Sequence, residues 1–349
     1  MVQTPTIPGY VLNEGEKLTR AIINLIGKPT VDSGQLNFLP NLIYNPQFEI
    51  VQRGTVSAPP FTAAHDFPNN DDTYLFDQWV HLAEGNDTVD IDQVAVALTN
   101  GSLIGMQSEV ETINRRFGYL QIFEAMRTYP LRGKKVSLTF SAAGTLDNVR
   151  AAVIEWTGTA NSVTSDVAAT WNSAGTSPTL ATNWAYCTNG NGSNNALTTT
   201  QTEFSLENIT VGSTANNLGV FIYLDDSNGA LSETLILTTV QLTQNDAKMD
   251  YQTYNYNTDL ANCERYYSYL VDCNHQGDAD GAASDTMGTI SYPRKRAAPT
   301  ITLFNSTNTN CGTVGTEDPE VSNCTYGCQS SSGAGQVRTE SDLSISAEL

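Results

Sequence analysis

Val136-Ser137-Leu138-Thr139-Phe140, followed by Val149-Arg150-Ala151-Ala152-Val153-Ile154-Glu155-Trp156, decides the fold class. Apolar and polar residues alternate in the first run, the period of a strand with one buried face. Similar runs occupy 117–124, 204–211, 218–224 and 234–242. Asn-Gly pairs at 100–101, 189–190, 191–192 and 228–229 offer the positive φ angles of tight turns. No helical periodicity separates these runs, so parallel βαβ units are excluded and the sheets are antiparallel. The expected fold is an all-β, antiparallel jelly-roll β-sandwich with short flanking helices and a small C-terminal β-domain.

Three segments are expected. Residues 1–40 carry one helix opened by Asn13-Glu14-Gly15-Glu16, with Leu18, Ala21, Ile22, Leu25 and Ile26 along one face. That stripe either packs on its own domain or docks on a partner protein. Residues 41–257 form the sandwich. Residues 258–349 begin with a helix over 258–271, capped by Thr258, and continue as a turn-rich β-domain with one clear strand at 300–304. The six cysteines are too few for a disulfide framework in 349 residues, so the thiols are expected to be dispensable for folding.

Composition narrows the function. Charged residues are 15% of the chain, against roughly 25% in an average soluble domain. The net charge is −20, and no Lys or Arg lies between Arg150 and Lys248. A nucleic-acid partner needs cations to neutralise phosphates, so it is disfavoured. The short basic clusters Arg115-Arg116 and Arg294-Lys295-Arg296 read as solvated loops or intersubunit contacts. No segment approaches the roughly 18 apolar residues of a membrane span, and the start lacks the pattern of a signal peptide. A protein with this start that acts outside a cell would be released by lysis, as part of a virus particle, and not by ordinary secretion.

Catalytic signals are thin. His65, His81 and His275 show no zinc-hydrolase spacing, and Cys311, Cys324 and Cys328 lack a nearby fourth ligand. Buried thiols or a local disulfide such as Cys324–Cys328 are the reading of these cysteines. Asp71-Asp72, Asp225-Asp226 and the set Asp278, Asp280, Asp285 read as solvated turns. The calcium-loop-like run Asp278-Ala279-Asp280-Gly281 lacks its closing Glu. No metal, cofactor or catalytic residue is expected. Aromatic surface material is present instead: Trp171, Trp184 and Tyr186, with Asn172, Asn183 and Asn189, have the ring-plus-amide composition of a sugar-binding surface. The alternative is that these rings pack the sandwich, as Trp156 at a strand end does.

Several segments resemble phage tail-fibre and related virion proteins that carry a jelly-roll domain like carbohydrate-binding modules. They are Asn41-Leu42-Ile43-Tyr44-Asn45-Pro46-Gln47-Phe48-Glu49-Ile50-Val51-Gln52-Arg53-Gly54, then Phe76-Asp77-Gln78-Trp79 and Leu131–Phe140. Further matches are the Trp171–Trp184 loop, Asp259–Tyr267, Arg296–Leu303 and Ser346-Ala347-Glu348-Leu349. Gln78 stands where the family usually has Arg, a departure expected to remove one ion pair. The resemblance implies a fibre, spike or tail-tip protein of the virion, commonly a homotrimer, that touches host surface glycans. An architectural capsid or tail decoration subunit is the alternative, and a polysaccharide depolymerase the third reading. An aromatic-rich helix with Tyr266, Tyr267 and Tyr269 is a further sign of trimer contacts.

Overall fold

The computed structural model describes residues 41–53, 69–99, 102–224, 230–252, 255–331 and 333–349. The predicted helix with Leu18, Ala21, Ile22, Leu25 and Ile26 lies outside the described residues, as do His65, Asp225, Asp226 and the Asn-Gly pairs at 100 and 228.

The first fourteen strands are β1 Thr73–Tyr74, β2 Val80–Ala83, β3 Val89–Thr99, β4 Ser102–Val110, β5 Phe117–Phe123, β6 Lys135–Gly144 and β7 Asn148–Trp156. They continue as β8 Ala168–Thr170, β9 Thr179–Leu180, β10 Trp184–Asn191, β11 Asn195–Ala196, β12 Thr202–Thr210, β13 Asn217–Tyr223 and β14 Thr234–Thr243. All their pairings are antiparallel: eleven follow the order β1-β2-β5-β13-β7-β10-β12-β6-β14-β4-β3, β11 pairs with β7 beside that path, and β8 and β9 pair with each other in a separate hairpin. The path folds over at β10. Its register against β7 breaks between Tyr186 and Asn191, and Thr188 pairs with Thr210 of β12 instead. Asn189-Gly190 therefore serves a bulge within a strand, with Asn189 at φ 60°. A Cβ on Gly190 would sit 2.5 Å from the Val153 carbonyl, so no larger residue fits that corner.

The core lies between the two halves of this sheet. Phe48, Trp79, Phe117, Phe140, Val153, Leu218, Val220, Leu237 and Val240 belong to one buried cluster. The expected alternation in β6 holds, because Val136, Leu138, Phe140 and Ala142 face this cluster. Its polar set is nevertheless buried too. Ser137 Oγ donates to the Ala247 carbonyl, and Gln241 Nε2 donates to the carbonyls of Met249 and Asp250, so the segment after β14 covers that outer face. Hydrogen bonding makes the burial of these polar groups tolerable.

A helix Tyr256–Glu264 follows, then β15 Tyr267–Ala279, β16 Asp285–Ser291, β17 Thr300–Thr309, β18 Cys311–Glu317, β19 Asn323–Ser330 and β20 Gly335–Ser346. The helix is shorter than the 258–271 expected from sequence. Asn255, not Thr258, caps it, its side chain accepting from the Asn257 and Thr258 amides. Tyr267 and Leu270 instead join β15, because they pair with Ser346 and Leu343 of β20. Two three-stranded sheets, β15-β20-β17 and β16-β19-β18, enclose Tyr292, Cys324, Tyr326, Leu343 and Ile345.

The disulfide joins Cys311 to Cys328, and Cys324 is a buried free thiol, which corrects the suggested Cys324–Cys328 pair. The bond closes a loop of sequence separation 17. Its reduction should cost roughly 3 kcal/mol by loop entropy, confined to the two small sheets. Amide exchange with and without reductant reads this out: β18 and β19 should lose protection while β6 and β13 keep theirs.

Segments remote in sequence meet at one joint. Arg53 pairs with Glu348 and lies over the rings of Tyr267 (3.7 Å) and Tyr74 (4.9 Å). Gln78 Nε2 donates to the same Glu348 carboxylate at 3.2 Å. Asp77 accepts from the Gln52 amide at 2.9 Å, and Arg296 donates to the carbonyls of Ala347 and Glu348. Lys295 is buried, donating to the Glu264 carbonyl and Ser268 Oγ, and burial pulls its ammonium down to about 8. Lys295 and Arg296 are thus tied into the fold, whereas Arg294 of the same cluster is exposed. At the other basic cluster Arg116 pairs with Glu84 at 3.0 Å.

Burial pushes the Asp77 carboxyl up to about 7. Its folded value lies above the ordinary unfolded one, so its contribution is fully present at low pH and is lost as pH rises through 7. His81, buried beside Tyr119, is pulled down to about 4 and acts oppositely, losing stability as pH falls below its unfolded value. Comparing the parent with Asp77→Asn isolates the first effect. The parent should gain about 2 kcal/mol relative to the variant between pH 7.5 and pH 5. Parallel stability–pH curves for the two proteins would place the Asp77 proton elsewhere.

Candidate carbohydrate-contacting rim

The strands β7, β10 and β13 put two sets of side chains on opposite faces. Val149, Ala151, Val153, Leu218, Val220 and Ile222 enter the core, whereas Ile154, Trp156, Trp184, Phe221 and Tyr223 form a second buried cluster on the outer face. That outer face is covered by the connection from β7 to β10. Val163, Val167, Trp171, Leu180 and Ala181 of this segment pack onto it. The small hairpin β8–β9 gives the cover its own backbone pairing.

The structure separates the predicted aromatic residues into two groups. Trp184 is paired in register with Trp156, and both are 6% exposed. Their rings lie 5.4 Å apart, and each indole N–H donates to the cover, Trp156 to the Thr159 carbonyl and Trp184 to that of Thr164. Trp184 is therefore a core residue, correcting its assignment to an exposed glycan surface. Trp171 and Tyr186 are half-buried at the edge of the cover. Trp171 lies 5.9 Å from Phe221 and 6.5 Å from Tyr223, which stack on each other at 4.7 Å.

Amides complete this rim. Asn172 Nδ2 donates to the Ser177 carbonyl (2.7 Å) and to Thr179 Oγ1 (3.1 Å). Tyr186 Oη donates to the Pro178 carbonyl at 2.7 Å, and Ser177 Oγ donates to Asn191 at 2.8 Å. Burial pushes the Tyr186 phenol up, so it stays protonated. Asn183 is exposed but belongs to a turn, at φ 71°, where its carbonyl accepts from the Thr157 amide. Asn189 Nδ2 is turned to the Asn208 carbonyl. Trp171, Tyr186 and Asn172 are thus brought together, and Trp184 and Asn183 are not part of the same surface. Phe221 and Tyr223, which support the Trp171 ring, carried no signal in a run where every residue from Val220 to Leu224 is apolar or aromatic.

The remaining candidates for chemistry are placed as follows. His81 is fully buried between the Phe117 and Tyr119 rings, its Nδ1 3.3 Å from the Asn70 carbonyl. Among the described residues no group of three or more His, Cys, Asp or Glu is arranged to hold a metal ion. No described helix is long and apolar enough to cross a membrane.

The chain matches no family model and no curated protein sequence. Among solved structures it is similar to the enzymatically active domain of bacteriophage CBA120 tailspike protein 4, with 13% identity, 48% of this chain covered and a TM-score of 0.33. The match spans 19% of that tailspike chain. It is also similar to TmCBM61 in complex with β-1,4-galactotriose, with 10% identity, 59% of this chain and 99% of that one covered, and a TM-score of 0.32. A third is the family 11 carbohydrate-binding module of a cellulosomal cellulase of Clostridium thermocellum, with 9% identity, 53% and 96% covered, and a TM-score of 0.28.

Proposed function

We propose that this chain is a non-catalytic virion subunit, a fibre, spike or tail-tip component, whose sandwich contacts host surface glycans through the Trp171–Tyr186 rim. The observation that carries this reading is the half-exposed Trp171 ring, braced from below by Phe221 and Tyr223 and flanked by Asn172 and Tyr186. A braced ring loses little freedom on stacking against the C–H face of a sugar, and neighbouring amides bond its hydroxyls. The virion role rests on the resemblance of the seven sequence segments.

The architectural reading has one observation in its favour. The segment after β7 fills the outer face that would otherwise be an open platform. A glycan array of the full chain separates the two, and release of reducing sugar tests the depolymerase. Trp171→Ala should weaken glycan binding about tenfold, the value of one aromatic contact, with little release of sugar by either protein. Unchanged binding by the variant would move the contact off this rim.

A homotrimer is part of this proposal, but its support has changed. Tyr266 is fully buried and Tyr267 is 7% exposed within their own chain, so they are not surplus apolar surface. Light scattering at micromolar concentration decides the oligomeric state.

A further inference from the structure

The outer face of the sheet β15-β20-β17 carries a cluster that the Trp171–Tyr186 rim does not use. Leu270, Leu303, Leu343 and Ile345 point from this sheet into its core, which leaves Tyr269, Phe304 and Asp342 on the opposite face. Tyr269 and Phe304 come from the two flanking strands and lean toward each other over the central one, ring centroids 6.3 Å apart. Phe304 is 43% exposed and Val271, beside them, 64%.

Asp342 lies directly opposite Phe304 in register. Its carboxylate accepts from Tyr269 Oη (3.1 Å), Asn305 Nδ2 (2.8 Å) and the Asp272 amide (3.0 Å). Both flanking strands are bulged at this level, between Leu270 and Cys273 and between Phe304 and Thr307. Asp272 and Asn305 adopt positive φ there, at 52° and 51°, which turns both donors toward the carboxylate.

We infer that this patch is a second carbohydrate-contacting site, separate from the rim, and that it takes neutral hexose or pentose units. The two rings offer a stacking surface, and the fixed carboxylate accepts a sugar hydroxyl. An ionised carboxylate has about four lone-pair positions and no donor, so three protein donors leave room for one hydroxyl. The bonds from Asn305 and the Asp272 amide hold Asp342 below the usual carboxylate range, so it is ionised at neutral pH. Charge selects among occupants. Asp272, Asp342 and Glu340 make the face acidic, and its nearby cation Arg338 is paired with Glu340 at 2.8 Å. Uronate or sialate sugars would be repelled, and so would the same face of a second copy of a chain with net charge −20.

The test is binding of the full chain to hexamers of cello-, xylo-, manno- and galacto-oligosaccharide, with oligogalacturonate as the anionic control. The parent should bind at least one neutral hexamer and not oligogalacturonate. Phe304→Ala should weaken that binding about tenfold with an unchanged melting curve, because the ring is exposed. Tyr269→Phe, which keeps the ring and removes its bond to Asp342, should weaken it less. Weakening by Phe304→Ala but not by Trp171→Ala supports the patch and overturns the rim. The reverse pattern overturns the patch and leaves the rim standing. Preference for oligogalacturonate, or a Phe304→Ala variant that changes sedimentation mass without changing sugar binding, also overturns the patch.

Discussion

Arg53→Ala should lower the free energy of unfolding by about 3–5 kcal/mol, the cost of leaving a buried charge without its partner. Glu348 is the charge left behind. Its side chain is 9% exposed, and after the substitution the Gln78 amide would be its remaining side-chain donor. The guanidinium also fills the space between the Tyr74 and Tyr267 rings, so its loss removes packing as well as charge. The double variant Arg53→Ala with Glu348→Gln should recover part of the loss, because it no longer buries an unpaired carboxylate. Denaturant titration of the four proteins in the cycle measures the coupling. A single-variant loss below 1 kcal/mol would mean that water reaches the joint.

Five of the seven resembling segments meet at this joint. Gln52-Arg53, Asp77-Gln78, Arg296 and Ala347-Glu348 were legible as motifs, and none has the composition of a catalytic site. What they do could not be read from one chain, since Arg53 and Glu348 are 295 residues apart and only the folded topology brings them together. Asn45 extends the same logic. Its side chain donates to the Ile50 carbonyl, its amide donates to Asp259 of the helix, and its carbonyl accepts from Trp79 Nε1. The segment after Asn41 is thereby tied to the sandwich and to the helix behind it.

The sandwich itself was legible because its inward positions are apolar at period two, as in β6. The C-terminal strands were less so. In β20 the inward positions are Val337, Thr339, Ser341, Leu343 and Ile345, two of them hydroxyl residues. Those hydroxyls are bonded in the interior, where Tyr326 Oη reaches Ser341 at 2.9 Å and lies 3.2 Å from Thr339. A polar residue satisfied by a buried tyrosine interrupts the apolar period without interrupting the strand. The helix expected over 258–271 overruns the observed one for a related reason. Leu260, Cys263, Tyr267 and Leu270 fit a helical face, and pairing of the last two with β20 overrides that pattern.

The aromatic cluster shows the limit most directly, and Trp184→Ala tests it. Composition marks Trp171, Trp184 and Tyr186 alike, but the register Trp184↔Trp156 decides that Trp184 sits under the cover. Replacing a buried Trp with Ala costs about 3–5 kcal/mol through lost contacts and the cavity that remains. Trp156 would lose its ring partner, and the Thr164 carbonyl would lose the indole N–H that holds the cover down. The variant should therefore melt well below the parent, and proteolysis should open the 157–183 segment first. Trp171→Ala should melt close to the parent, since that ring is half-exposed. A Trp184→Ala protein that melts like the parent would mean that the segment is not seated on the sheet. The Trp156 and Phe221 rings beneath it would then be open to a sugar.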